Sequence, residues 1–144
     1  DWFTKRFVST GYFALVDIRK TNPEPDFLSD RCAWIPLKEV PRLLADHNEI
    51  LEKALETLRI QLNYLPVGIS LLPEKFTMKA LRKLYEAILS RPLERSNFQR
   101  KMLVLGILIR HEKQMTGAAN RAPYLYSFDQ KKYDLLLKGK SSFL

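Results

Sequence analysis

The sequence predicts a protein of the α+β class, in which strands and helices occupy separate parts of the chain. Three observations support this class: an early run rich in β-branched and aromatic residues, a central segment with apolar residues at helical spacing, and a C-terminal order of two helices followed by two strands. A length of 144 residues suffices for one ordinary domain or two small ones. We place a boundary between residues 67 and 68.

The first part, 1–67, opens with two predicted strands. Residues 7–18 (FVSTGYFALVDI) have the composition of a buried strand, and residues 31–35 that of a second, short strand. Between them, residues 21–30 contain two prolines, an asparagine and three acids, which is typical of a loop. The aromatic side chains of both predicted strands, Trp34 among them, are expected in a core or an interface.

A helix is predicted to follow, beginning after Asp46 and ending near residues 64–68. Asp46 and Glu49 have the spacing of a capping box at its start. Apolar residues then recur at steps of three and four, which predicts one buried face; they are Ile50, Leu51, Ala54, Leu55, Leu58 and Leu62. Pro66 and Gly68 end this helix, and for that reason the boundary is placed there.

The second part, 68–144, has the order of a winged helix-turn-helix. Thr77 is predicted to cap a helix whose apolar positions run from Ala80 to Leu89. Residues 90–93 form the turn, and a second helix covers residues 94–105. Two predicted strands complete the order; they are residues 107–113 and 124–128. Two helices joined by a tight turn and followed by a hairpin are typical of this DNA-binding motif.

Charge is divided unequally between the two parts. Residues 1–67 contain nine basic and ten acidic side chains, whereas residues 68–144 contain fifteen basic and six acidic ones, a net charge of +9. This asymmetry favours an acidic polymer as the partner of the second part. Ribosomal, membrane-surface and merely soluble basic domains share it.

The second helix of the pair carries the candidate recognition face. With Phe98 and Met102 directed inward, a helical wheel places Ser96 and Arg100 on the opposite side and Gln99 beside them. These side chains can pair with base edges in a major groove, although a merely solvated helix face would carry similar ones. The candidate DNA-binding residues are Lys79, Arg95, Ser96, Asn97, Gln99, Arg100, Lys101, Lys113, Asn120 and Arg121.

No catalytic, metal or cofactor site is expected. The chain has one cysteine, Cys32, and two histidines, His47 and His111, so no spacing fits a zinc site. Asp46 beside His47 is interpreted as a helix cap, and His111 as solvated or facing phosphate. No glycine-rich phosphate loop and no nucleophile elbow occur. A single cysteine suits the cytoplasm, and without an apolar run of about 18 residues no membrane span is expected.

Several segments together resemble the Nudix-related transcriptional regulators. They are residues 34–37 (WIPL), 43–50 (LLADHNEI), 54–59 (ALETLR), 71–77 (LLPEKFT), 84–89 (LYEAIL) and 96–101 (SNFQRK). The resemblance covers nearly the whole chain. It implies an N-terminal Nudix-like domain that senses a ligand and a C-terminal winged helix that binds operator DNA as a homodimer. Some members respond to ADP-ribose and control NAD metabolism; the Bacteroides-type branch, which this sequence most resembles, responds to a sugar.

The resemblance also implies what residues 1–67 are. They correspond to the C-terminal portion of a Nudix-like α/β/α sandwich, and the Nudix box with its metal-binding glutamates does not occur in these 144 residues. The chain therefore reads as a piece of a longer protein. It departs from the family at residues 94–99 (ERSNFQ) and 120–122 (NRA), where members often carry more basic residues. Its operator is therefore expected to differ from theirs.

The leading hypothesis is a ligand-responsive repressor. Its predicted partners are double-stranded operator DNA, a sugar or ADP-ribose-like effector in the full-length protein, and a second copy of the chain. Two alternatives stay open. The complete protein could hydrolyse ADP-ribose or a related nucleoside diphosphate derivative, or the winged helix could serve only protein contact.

Overall fold

The computed structural model describes residues 8, 10–62, 66, 68–114 and 122–138, and the chain divides into two compact units, Asp1–Ala54 and Leu55–Leu144. The helices and strands of the described residues are α1 (His47–Gln61), β1 (Phe76–Thr77), α2 (Met78–Leu89), α3 (Arg95–Val104), β2 (Leu108–Lys113), β3 (Tyr124–Phe128) and α4 (Gln130–Leu137). The predicted pair of helices and the predicted hairpin are confirmed within two residues at each end. The predicted boundary at 67/68 stays a prediction.

The two strands predicted in the first unit are not formed by its described residues. Residues 8, 10–18 and 31–35 have no helix or strand, and of the described residues before α1, Leu37–Glu39 form a short 3-10 helix. Their apolar side chains are exposed: Tyr12 shows 92% of its surface and Trp34 47%. A strand persists when a neighbouring strand takes its backbone hydrogen bonds, and the described residues of this unit supply no such partner. The Nudix-like sandwich therefore stays a prediction.

Helix α1 confirms the predicted central helix. The carbonyl of Asp46 accepts the hydrogen bond of Ile50 N at 3.0 Å, and Leu58 is buried. Near the end of the helix, Arg59 Nε donates to the carbonyl of Ile88 at 3.1 Å. Ile88 lies in the last turn of α2, where carbonyls have no partner within the helix. Arg59 therefore supplies a hydrogen-bond donor to a carbonyl at the C-terminal end of α2.

A three-stranded antiparallel sheet with the order β1-β3-β2 backs the two helices. In its registers Phe76 lies opposite Tyr126 and Leu108 opposite Phe128. The main core lies between this sheet and the helices; its buried residues are Phe76, Leu81, Tyr85, Phe98, Met102 and Tyr126. The two-residue strand β1 was not predicted, since so short a strand exists only through its pairing with β3.

Helix α4 was also not predicted. Its cap is Asp129, whose side chain accepts from Lys132 N at 3.2 Å. Tyr133 and Leu136 are buried with Ile107, and the hydroxyl of Tyr133 donates to the carbonyl of Pro66 at 2.6 Å. The capping aspartate and the spacing of Tyr133 and Leu136 were signals that could have identified this helix.

Candidate nucleic-acid interface

The turn between α2 and α3 is defined by the cap that ends the first helix and the cap that begins the second. Helix α2 is capped at its N-terminus by Thr77, whose Oγ1 accepts from Ala80 N at 3.1 Å, and at its C-terminus by Ser90, which has a left-handed backbone with φ of 54°. Helix α3 is capped at its N-terminus by Glu94, whose carboxylate accepts from the amides of Ser96, at 2.8 Å, and Asn97. These bonds hold the pKa of Glu94 below its ordinary value, because they stabilise the charged carboxylate.

Aromatic packing sets which face of α3 points outward. Phe98 and Met102 are buried, as the helical wheel predicted. The ring of Phe98 meets that of Tyr85 on α2 edge-to-face, with centroids 5.2 Å apart. Such pairs favour one relative orientation of their rings. The opposite side of α3 is thereby presented to solvent.

The outward face of α3 forms an open hollow of about 560 Å³. It is lined by Ser96, Gln99, Arg100, Leu103 and Val104. The guanidinium of Arg100 donates from Nη2 to Oδ1 of Asn97 at 3.1 Å, which orients it along the helix surface. Leu103 and Val104, with 44% and 79% of their surfaces exposed, make one end of this face apolar. Neither Leu103 nor Val104 is among the candidate DNA-binding residues predicted from the sequence.

A second, larger groove of about 870 Å³ lies between the start of α2, α3 and the hairpin. It is lined by Thr77, Met78, Lys79, Arg82, Arg95, Phe98, Gln99, Lys113, Gln114, Ala122, Pro123, Tyr124 and Tyr126. The structure thus brings together four of the predicted residues: Lys79, Arg95, Gln99 and Lys113. Lys101 is exposed on the last turn of α3 and lines neither the hollow nor the groove. Asn120 and Arg121 lie outside the described residues.

The end of the hairpin next to its loop adds two residues that sequence reasoning missed, Arg110 and Tyr124. Tyr124 lies opposite Lys113, and the guanidinium carbon of Arg110 and Nζ of Lys113 are 4.7 and 5.4 Å from its ring centroid. An irregularity of the β2–β3 register between Arg110 and Lys113 lets both cations approach one ring. Pairing the two predicted strands as a hairpin could have identified Tyr124 as a neighbour of Arg110 and Lys113.

Within the described ranges, no group of three or more histidine, cysteine, aspartate or glutamate side chains is placed to hold a metal ion. His111, which was interpreted as solvated or facing phosphate, is half-buried and shares a hydrogen bond of 2.8 Å between Nε2 and Ser127 Oγ. Of the helices in the part of the chain that is described, none is long and apolar enough to cross a membrane.

Comparisons with known proteins agree with this arrangement. Residues 68–128 match the family described as the NrtR DNA-binding winged helix domain. The chain is 33% identical over 129 residues to an "ADPR responsive transcriptional repressor NtrR" of Acinetobacter baylyi, covering 88% of this chain and 51% of that protein.

Two solved structures of Shewanella oneidensis NrtR are also similar. One is 28% identical with a TM-score of 0.53 and covers 64% of this chain and 41% of its own. The other is a complex with a 27mer DNA. It is 26% identical with a TM-score of 0.53, and the match covers 65% of this chain and 42% of the Shewanella oneidensis chain. The chain therefore spans about half the length, or less, of these relatives. Residues 68–128 therefore match an NrtR-type DNA-binding winged helix domain, and the chain as a whole is similar to these NrtR-type repressors.

Proposed function

We propose that this chain contributes the operator-binding part of a transcriptional repressor. The observation that carries the proposal is the solvent-facing surface of α3, where Ser96, Gln99 and Arg100 share one hollow while Phe98 and Met102 anchor the helix in the core. Side chains with hydrogen-bonding ends on a rigid helix can meet base edges in the major groove. The groove beside it adds Lys79, Arg95 and Lys113, which suit contacts with phosphate.

We further propose that the full-length protein responds to a small effector. The Acinetobacter baylyi relative is described as ADPR responsive, which supports ADP-ribose as the effector. The family resemblance then implies that the target genes belong to NAD metabolism. A sugar, as in the Bacteroides-type branch, is the alternative effector. Titrating ADP-ribose and arabinose separately into a complex of the full-length protein with labelled operator distinguishes the two, because only the effector releases the DNA.

The DNA-binding proposal is tested by fluorescence anisotropy of labelled 27-base-pair duplexes, selected from a random pool, against a scrambled control. We expect tighter binding to the selected duplex, with log affinity falling linearly against log salt. Each phosphate neutralised contributes about −0.9 to that slope. A winged helix that serves only protein contact would bind neither duplex.

The hydrolase alternative leads to an expected negative result. The purified chain should release no product from ADP-ribose with magnesium or manganese, because the spaced glutamates that hold the metal in a Nudix box do not occur in its sequence. Product release is measured by chromatography against a protein-free blank. Metal-dependent turnover above that blank would contradict the prediction.

We expect the chain to form homodimers. Large apolar side chains of the first unit lie open to solvent, among them Tyr12, Phe27 and Leu28, and such surfaces tend to be covered in an assembly. Light scattering should give twice the chain mass of 16.9 kDa at micromolar concentration. A stable species with the mass of one chain would show that these side chains do not mediate self-association.

A further inference from the structure

The residue that precedes the cap of α3 is held on both sides of its backbone by side chains of α2. The amide of Leu93 donates to Oε1 of Glu86 at 2.9 Å, and its carbonyl accepts from Nη1 of Arg82 at 3.1 Å. Leu93 is followed directly by Glu94, the cap of α3. These two hydrogen bonds connect side chains of α2 to the backbone just before α3.

Arg82 and Glu86 depend on each other. Their side chains approach to 3.8 Å between Nε and Oε1, and each is only one-quarter exposed. Among the described residues, Arg82 Nε is buried without a hydrogen-bond acceptor. The Glu86 carboxylate therefore offsets the charge of this guanidinium while also accepting from Leu93. Removing Glu86 would leave the amide of Leu93 without its acceptor and the guanidinium of Arg82 without its counter-charge, which carries a desolvation cost.

The orientation of α3 affects base contacts and phosphate contacts differently. Hydrogen bonds to base edges require donor–acceptor distances of about 2.7–3.2 Å and weaken steeply when misaligned. Long cationic side chains reach phosphates through a field that varies gradually with distance. A small rotation of α3 about Leu93 would therefore reduce sequence discrimination more than general affinity for DNA.

We propose that Arg82 and Glu86 are positioning residues for operator recognition, which hold Leu93 so that Gln99 and Arg100 meet the bases in register. This inference rests on the proposed DNA-binding function. It assigns a role in DNA recognition to an acidic residue, Glu86, whose own charge opposes DNA. Loss of this charge and loss of positioning therefore change the affinity for the selected duplex in opposite directions.

The decisive variant is Glu86→Ala, measured by anisotropy with selected and scrambled duplexes. Loss of a negative charge alone would tighten binding to both duplexes. The positioning role instead predicts that Glu86→Ala binds the selected duplex about 3- to 10-fold more weakly, which is the effect of losing one or two hydrogen bonds between α3 and the bases. Its affinity for the scrambled duplex should be unchanged or slightly higher. Glu86→Gln keeps an acceptor for Leu93 and should restore most of the discrimination. Glu112→Ala, which removes an exposed acid of β2, is the matched charge control and should not weaken either duplex.

Arg82 also lines the groove, so its own variant must separate positioning from direct contact. Arg82→Met should lower the ratio of selected to scrambled affinity and leave the salt slope unchanged. A direct phosphate contact would instead weaken both duplexes and make the slope shallower by about one unit. Lys83→Ala, an exposed cation of the same helix, is the control for loss of one positive charge.

Circular dichroism and thermal unfolding accompany each variant. If Glu86→Ala does not fold, Glu86→Asp, which keeps the charge but withdraws the acceptor by one methylene, should show the same loss of discrimination. Selected-duplex binding as tight as wild type in folded Glu86→Ala or Glu86→Asp would overturn this inference alone. Absence of DNA binding by the wild-type chain would overturn the proposed function, and this inference with it.

Discussion

Replacing Arg100 by alanine is expected to weaken binding to the selected operator duplex about 5- to 150-fold while leaving binding to a scrambled duplex nearly unchanged. Arg100 lies in the outward hollow of α3 with Ser96 and Gln99. A guanidinium there can form two parallel hydrogen bonds to a guanine edge, which discriminate against a wrong base by about 1–3 kcal/mol. Its bond to Asn97 limits the orientations that the free side chain samples, and this lowers the cost of ordering it on DNA.

The comparison variant is Arg121→Ala, at the predicted tip of the hairpin. Arg121 is expected to meet phosphate or a narrow minor groove, so its loss should weaken both duplexes similarly and make the salt slope shallower by about one unit. Both variants are measured by anisotropy across a salt series. An equal loss for both duplexes in Arg100→Ala would show that the recognition face lies elsewhere. If both variants bound DNA as tightly as the wild-type chain, residues other than Arg100 and Arg121 would make the DNA contacts.

Replacing Leu81 by alanine should lower the free energy of unfolding by about 2–5 kcal/mol. Leu81 has no exposed surface and lies in the main core with Phe76 and Phe98. Gly68 packs against it, since a Cβ added at Gly68 would be in van der Waals contact with Leu81 Cδ1, at 3.4 Å. The core around so confined a residue relaxes little, and a cavity would remain.

Urea unfolding followed by circular dichroism measures this loss. Leu103→Ala is the control, because Leu103 is the same residue type with 44% of its surface exposed, and its change should stay within about 0.5 kcal/mol. A loss below about 1 kcal/mol in Leu81→Ala would mean that the core collapses around the smaller side chain.

The helix pair could be predicted because its signals are local. Thr77 and Glu94 act on amides two or three residues ahead, and the apolar steps of α2 and α3 repeat within each helix. The strands predicted within residues 7–18 and 31–35 had a suitable composition but no partner among the described residues. Composition indicates that a segment can form a strand, whereas the partner decides whether it does.

The candidate site divides in the same way. The outward position of Ser96, Gln99 and Arg100 follows from helical periodicity once Phe98 and Met102 are buried, so it could be predicted from the sequence. The groove depends on Lys79, Arg95 and Lys113 meeting from three separate elements, and Tyr124 joins them through strand pairing. The spacing of these residues along the chain does not predict that they lie close together.

The sequence by itself determined the basic second part, the order of its helices and hairpin, and the residues that α3 turns outward. Each of these follows from charges and from contacts within about four residues along the chain. Tertiary structure alone decided the attachment of α3 to α2 through Leu93, Arg82 and Glu86, the existence of β1, and the convergence of Arg110 and Lys113 on Tyr124. These depend on groups distant in sequence, whose meeting is set by the packing of the core and the register of the sheet.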